Sequence, residues 1–259
     1  MTERPRLLDL YCGEGGIARG YVAAGFDVVG VDLHNQSHFP GQEPMLKNRT
    51  PHFTFKQADA FAFLESPCFD LWGFSAIHAS PPCQAYSITK HTHKVQHPDL
   101  LAQTRELLKS TGLPYVIENV VGAPMDNPVT LCGASFDLTA EDDNGEPLIL
   151  KRHRQFEATF SLRPLPCKCK FYKDHLYKIG GVYGGGSKDR AHAENVRHGG
   201  YTPSKAVQEK LMGIDWMTQK GLNQAIPPSY GYFIGKQLIQ HLDSTPSSSA
   251  PKEPDKCTD

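Results

Sequence analysis

RLLDLYCGEGGIARGYVAAGF, residues Arg6–Phe26, followed by VVGVD over Val28–Asp32, decides the fold class. The apolar run LLDLY reads as a buried strand, CGEGG as a glycine-rich turn, and IARGYVAAG as a helix that stops at Gly25. VVGVD is then a second strand. The same alternation continues downstream: SAIHAS (Ser75–Ser80) reads as a strand, Gln84–Pro98 as a long polar loop, Leu100 to Ser110 as a helix, and YVIENV from Tyr115 as another strand. That helix puts Leu100, Leu101, Thr104, Leu107 and Leu108 on one stripe and stops at Gly112 and Pro114. Strands alternating with helices predict an α/β fold: a mostly parallel sheet, helices on both faces, ligands at the carboxyl ends of the strands.

A chain of 259 residues with 39% hydrophobic and 10% aromatic residues can bury a core without staples, which excludes disordered, collagenous and coiled-coil classes. No apolar run approaches a membrane span, and MTERPRLLDLY has no apolar signal region, so we expect a cytoplasmic monomer. Seven cysteines, an odd number without regular spacing, point to reduced thiols rather than a disulfide framework. The net charge of −1 hides an asymmetry. Met1–Leu150 carries −8, Lys151–Lys205 carries +8 and the remainder −1. A basic segment that dense fits a phosphate backbone, with a solvated basic face as the plainer alternative.

Regular periodicity lapses after Leu150. Residues 157–200, rich in Lys, Arg, His, Tyr and Gly, read as a small inserted subdomain. Residues 1–156 and 201–243 then form the main domain. TPSKAVQEKLMG predicts a helix with Thr202 as N-cap, Pro203 at its first position and Gly213 at its end. A final helix is expected from Ser229 to Leu242, and the apolar-poor residues 244–259 are expected to be disordered.

Several residues carry chemistry. Gly13, Gly15 and Gly16 let backbone approach a ligand, Asp32 at a strand end can accept from both ribose hydroxyls, and Asp59 can accept from an adenine amino group. The plainer alternative is a tight turn and helix-capping aspartates. In SPPCQAYS, paired prolines mount Cys83 on a rigid turn at the sheet edge, and a working thiol there needs positive charge beside it. Glu118 and Asn119 close the YVIENV strand at the same edge, where a partly desolvated carboxyl group can hold a proton. Arg152 and Arg154 in KRHRQF share one face if extended and could steady a thiolate, a base carbonyl or a phosphate.

In this order the motifs resemble the cytosine-5 DNA methyltransferase family, from Leu7 to about Leu242. DLYCGEGG looks like its cofactor turn, PPCQAYS its catalytic loop, ENV its proton-handling strand end, RHR its arginine pair, and Asn223–Gly235 its closing segment. The resemblance implies a Rossmann-like methyltransferase using S-adenosyl-L-methionine, with a small basic target-recognition insertion. It implies that Asp9, Tyr11, Gly13, Gly15, Gly16, Asp32, Leu33, Asp59, Ala60, Pro81 and Asn223 line the cofactor. Cys83 would add to carbon 6 of a cytosine flipped from duplex DNA, and Glu118 would engage the ring nitrogen. The methyl group would go to carbon 5, and loss of the carbon-5 proton would release the thiol. Arg154 would assist Glu118 with Arg152 nearby, Asn119 would brace the loop, and Gln84–Pro98 would close behind the base. RNA, tRNA in particular, is the alternative acceptor, and a silent nucleic-acid-binding regulator the non-enzyme reading. Roles in restriction-modification, phage protection and gene control all fit.

The chain departs from the family pattern in places. Asp32 stands where many members have glutamate, Leu150 replaces a polar residue, Leu222 replaces a glycine, and the recognition segment is short. Cys167, Cys169 and His175, with His192 or His198, form a zinc candidate. The CxC spacing is not the usual CxxC and the fourth ligand is conjectural, so the sequence reading assigns no metal.

Overall fold

The computed structural model describes residues 3–40, 52–67, 69, 73–82, 100–182 and 200–245. Strand β1 (Arg6–Leu10) leads through the glycine turn into α1 (Gly16–Ala24), then β2 (Asp27–Asp32), β3 (Phe53–Gln57) and α2 (Ala60–Leu64). The chain continues as β4 (Ala76–Ala79), α3 (Leu101–Ser110), β5 (Tyr115–Asn119) and β6 (Val129–Leu131). After a 3-10 turn at Gly133–Phe136 come β7 (Thr139–Glu141), β8 (Pro147–Leu150), β9 (Arg154–Ala158), α4 (Cys169–Asp174), β10 (Lys178–Gly180) and β11 (Gly200–Tyr201). Three helices follow: α5 (Lys205–Met212), α6 (Gln219–Gln224) and α7 (Pro228–Ser244).

Seven strands form the main sheet in the order β3-β2-β1-β4-β5-β9-β6. Its first five are mutually parallel, whereas β9 runs antiparallel to β5 and β6. Alternation divides the core: Leu7, Ala76 and Val116 pack on the side of α1 and α7, while Leu8, Leu10, Ile77 and Ile117 pack on the side of α2 and α3. From β1 the chain moves outward to β2 and β3, then returns to β4 on the other side. The crevice outside the carboxyl ends of β1 and β4 is therefore the topological switch point.

The mostly parallel α/β sheet agrees with the sequence expectation, and three local details differ. The N-cap of α5 is Ser204, two residues past Thr202, so Pro203 precedes the helix. Helix α7 spans Pro228–Ser244, starting on a proline suited to the first turn. The second sheet, β11-β10-β8-β7, draws two of its strands from residues before Glu157, so the small sheet straddles the insertion boundary drawn from composition.

Helices α1 and α7 touch backbone to backbone. A Cβ on Gly20 would collide with the Pro228 carbonyl oxygen and the Tyr232 nitrogen, and one on Gly235 would lie 2.7 Å from the Ala24 Cβ. Because the obstacles at Gly20 are main-chain atoms, Gly20→Ala is expected to be net destabilising by about 1–3 kcal/mol despite its better helix propensity. Denaturant unfolding checks this.

Candidate active site

Several residues that the sequence reading assigns to a cofactor lie at the carboxyl ends of β1 and β2, beside the switch point. Asp32 closes β2 and accepts from the Gly13 nitrogen (3.0 Å) and the His34 nitrogen (2.9 Å), so it braces the turn after β1 while each carboxylate oxygen retains a further lone pair. Leu33 beside it is 59% exposed, an apolar face at a sheet edge. Gly15 is left-handed (φ +79°), and its Cβ would sit 2.7 Å from Pro40 and 3.0 Å from the Phe39 ring; one on Gly16 would meet the Ile226 carbonyl at 2.6 Å. Those two glycines admit neighbouring protein. Gly13 (φ +50°) has no described atom within 4 Å of where a Cβ would stand, so glycine is required there by the left-handed backbone rather than by a described neighbour.

Asp59 is the N-cap of α2, its Oδ1 accepting from the Phe61 and Ala62 nitrogens, and Ala60 is buried behind it. This is the helix-capping role weighed as the plainer alternative. Tyr11 adopts φ +58° and pairs its hydroxyl with Thr104 on α3 at 3.1 Å, which turns its ring toward the core. Asp9 lies inside β1 with zero exposure, and neither of its carboxylate oxygens has a hydrogen-bond partner among the described residues. Burial, reinforced by Asp32, pushes its carboxyl group far above the usual range.

Two strands over from β1, beyond β4, β5 delivers Glu118 and Asn119 to the same edge. Asn119 donates to the Pro81 carbonyl (3.3 Å) and accepts from the Val120 nitrogen (2.9 Å), fastening the exit of β4 to the end of β5. Glu118 is buried, with Arg154 Nε 3.1 Å from its Oε1. Burial raises the Glu118 carboxyl group above its ordinary value against the pull of Arg154, Arg152 and a hydrogen bond from Ser80. Arg152 is held by the carbonyls of Val182 (3.2 Å) and Asn223 (2.8 Å), and Tyr230 donates to its own carbonyl at 2.6 Å. The arginine pair therefore divides: Arg154 serves Glu118, and Arg152 ties the closing segment at Asn223 to β9. Cys83, the Gln84–Pro98 loop, His192 and His198 lie outside the described residues.

Sequence reasoning missed a buried chain leading to Glu118. Tyr21 Oη and His78 Nδ1 are 3.1 Å apart, His78 Nε2 and Ser80 Oγ 3.0 Å, and Ser80 bonds Glu118. Burial lowers the His78 pKa to about 3, so its ring stays neutral with one donor and one acceptor. Every member can run its hydrogen bond in either sense, so the chain stays satisfied with Glu118 protonated or ionised. The signal was a histidine inside the apolar strand SAIHAS, whose partners only the fold brings together. A second omission is Glu14, whose carboxylate accepts from the Thr218 nitrogen (2.7 Å) and hydroxyl (2.5 Å), locking the glycine turn to α6.

Part of the basic surplus is committed within the protein. Lys168 pairs with Asp137 and Lys178 with Glu146, so the excess charge partly answers the acidic segment before it. A groove of about 700 Å³ lies elsewhere, lined by Arg19, Ala23, Lys210, Trp216 and Tyr232, and includes no residue assigned above to cofactor or base. No described helix is long and apolar enough to cross a membrane.

No protein-family model matches the chain. A curated protein of Methanocaldococcus jannaschii, named "Putative ribosomal RNA large subunit methyltransferase", is 28% identical over 153 residues. That match covers 58% of this chain and 35% of the relative, so the chain spans about a third of that protein's length. Among solved structures, an E. coli protein titled "putative DNA modification methyltransferase encoded within prophage" superposes over 93% of this chain and all of its own, with a TM-score of 0.57 and 15% identity. The S. pombe Dnmt2 methyltransferase does so over the same shares with a TM-score of 0.56 and 14% identity. The chain has the Rossmann-like methyltransferase fold.

Proposed function

We propose that the chain is a DNA cytosine-5 methyltransferase using S-adenosyl-L-methionine, with Cys83 as nucleophile. The observation that carries this reading is the buried Glu118–Arg154 pair at the carboxyl end of β5, fastened through Asn119 to the proline turn that leads into Cys83. A carboxyl group with a raised proton affinity suits a partner that must protonate a ring nitrogen while a thiolate adds to the same ring. Arg154 orients that carboxyl group, and the Tyr21–His78–Ser80 chain tolerates its proton coming and going.

The cofactor side supports the reading independently. Asp32 retains lone pairs for ribose hydroxyls, Leu33 gives an adenine ring an apolar face, and the buried Asp9 carboxyl group, with no partner among the described residues, can give up its proton to meet a cationic ligand. When bound, the cofactor supplies an electrophilic methyl group. The neighbour described as a DNA modification enzyme favours DNA. The curated relative's name favours RNA as a second reading, on the same chemistry.

The test offers duplex DNA, tRNA and ribosomal RNA with methyl-labelled cofactor. Label on carbon 5 of cytosine in DNA supports the proposal, label confined to RNA transfers it to the second reading, and label on any other atom defeats both. DNA bearing 5-fluorocytosine should trap the protein covalently, because fluorine blocks the final elimination, and the adduct should map to Cys83.

A further inference from the structure

We propose that Cys132, His153, Cys167 and Cys169 form a structural zinc site that clamps the inserted segment onto the start of β9, between Arg152 and Arg154. One ligand atom from each lies within 4.8 Å of every other. Cys132 Sγ and Cys169 Sγ are 3.4 Å apart, His153 Nε2 and Cys167 Sγ 3.4 Å, and His153 Nε2 and Cys169 Sγ 4.0 Å. A tetrahedral ion with metal–sulfur bonds of about 2.3 Å sets its sulfurs about 3.7 Å apart. The Cys132–Cys169 separation falls about 0.3 Å short of that value, and the two nitrogen–sulfur separations lie either side of the roughly 3.5 Å that metal–nitrogen bonds of about 2.0 Å would set, so small side-chain adjustments suffice.

The donor set selects the ion. Three soft sulfurs and one imidazole nitrogen favour zinc over hard cations such as magnesium or calcium. Four protein ligands close the coordination sphere, which is the pattern of a structural centre rather than a catalytic one. Cys132 is buried, His153 and Cys169 are half-buried and Cys167 is exposed, so the cluster reaches from the interior to solvent.

This set differs from the sequence-based zinc candidate. Only Cys167 and Cys169 carry over. His175 instead stacks on Phe171 and places its Nδ1 2.8 Å from the Phe171 carbonyl, within its own turn. Cys132 and His153 replace it, and their positions give the site its consequence. Cys132 precedes the 3-10 turn after β6, His153 separates Arg152 from Arg154 at the start of β9, and the CxC pair opens α4. A metal there joins three segments across the small insertion and fixes where β9 begins. The buried cluster around the site is small, Cys132, Ala134, Ile149 and Tyr172, with Tyr172 its one buried member from the inserted segment among the described residues, so a metal cross-link would add to what packing supplies.

The experiment measures metal in the full chain purified under reducing, anaerobic conditions. One zinc per chain is expected in the native protein and in Cys83→Ser, with loss to none in Cys169→Ser. Cobalt(II) exchanged into the native protein should give tetrahedral visible bands with intense sulfur-to-metal charge transfer. This readout needs no variant to fold. Absence of retained zinc after zinc supplementation, a weak octahedral cobalt spectrum, undiminished zinc in folded Cys132→Ser/Cys169→Ser, or a Cys132–Cys169 disulfide in freshly isolated protein would each overturn the site. Because the readout is metal content, its failure is distinct from failure of the methyl-transfer assay.

Discussion

Glu118→Gln is expected to slow methyl transfer by about 10²–10⁴-fold, the usual contribution of a positioned proton donor. Glutamine keeps the size and the hydrogen bond to Arg154 can persist in modified form, but it has no acidic proton to give a ring nitrogen. Single-turnover transfer to DNA checks the rate, and cofactor affinity by calorimetry should stay unchanged. Stability should move the other way. Burial raises the folded-state pKa of Glu118, so as pH rises the unfolded chain releases this proton first and the folded state loses stability. The variant escapes that penalty, and its unfolding free energy at neutral pH should equal or exceed the native value. A rate within a few-fold of native would remove Glu118 from the reaction.

Glu157→Ala should cost about 3–5 kcal/mol of folding stability, the effect of leaving a buried charge uncompensated. Arg105 Nε and Nη2 each donate to one Glu157 oxygen at 2.8 Å, and Nη2 also donates to the Pro124 carbonyl at 2.8 Å. Only 5% of the Glu157 side chain and 11% of that of Arg105 are exposed. Glu157 further accepts from the Asp126 nitrogen at 2.8 Å, so the pair also anchors the stretch after β5. Replacing both partners together, Arg105→Met with Glu157→Leu, should recover most of the loss because no charge remains buried. Equilibrium denaturation measures both. Equal losses in the single and double replacements would show that packing, not charge, sets the cost.

The parts of the molecule legible in the sequence are those where local pattern and global fold agree. β1, α1, β2, β4, α3 and β5 each bury a continuous run or a single stripe, so periodicity finds them. Strands β7, β10 and β11 have two or three residues each, too few for a period to register, and they exist because they pair with one another and with β8. Arg105 shows another limit. Its helix was read correctly from the leucine stripe, but its burial depends on Glu157, fifty-two residues away in the chain. Glu118, Asn119 and the arginines stand out in the sequence as candidates because polar and charged residues close to strand ends interrupt an apolar pattern. His78 and Glu14 do not, since the one reads as a strand residue and the other as part of a turn. Cys132 reads in TLCGAS as an ordinary small buried residue until the fold carries the CxC pair to it.

The glycine contact between α1 and α7 also bears on how the protein is made. Much of the cover over the first described helix comes from α7, so a nascent chain leaves the ribosome with that face of α1 bare until residues 228–244 follow. Over that interval the early sheet is a natural client for chaperones. A frameshift or proteolytic nick before α7 would leave the same face sticky, and the damaged product should be cleared or aggregate rather than persist as a shortened fold.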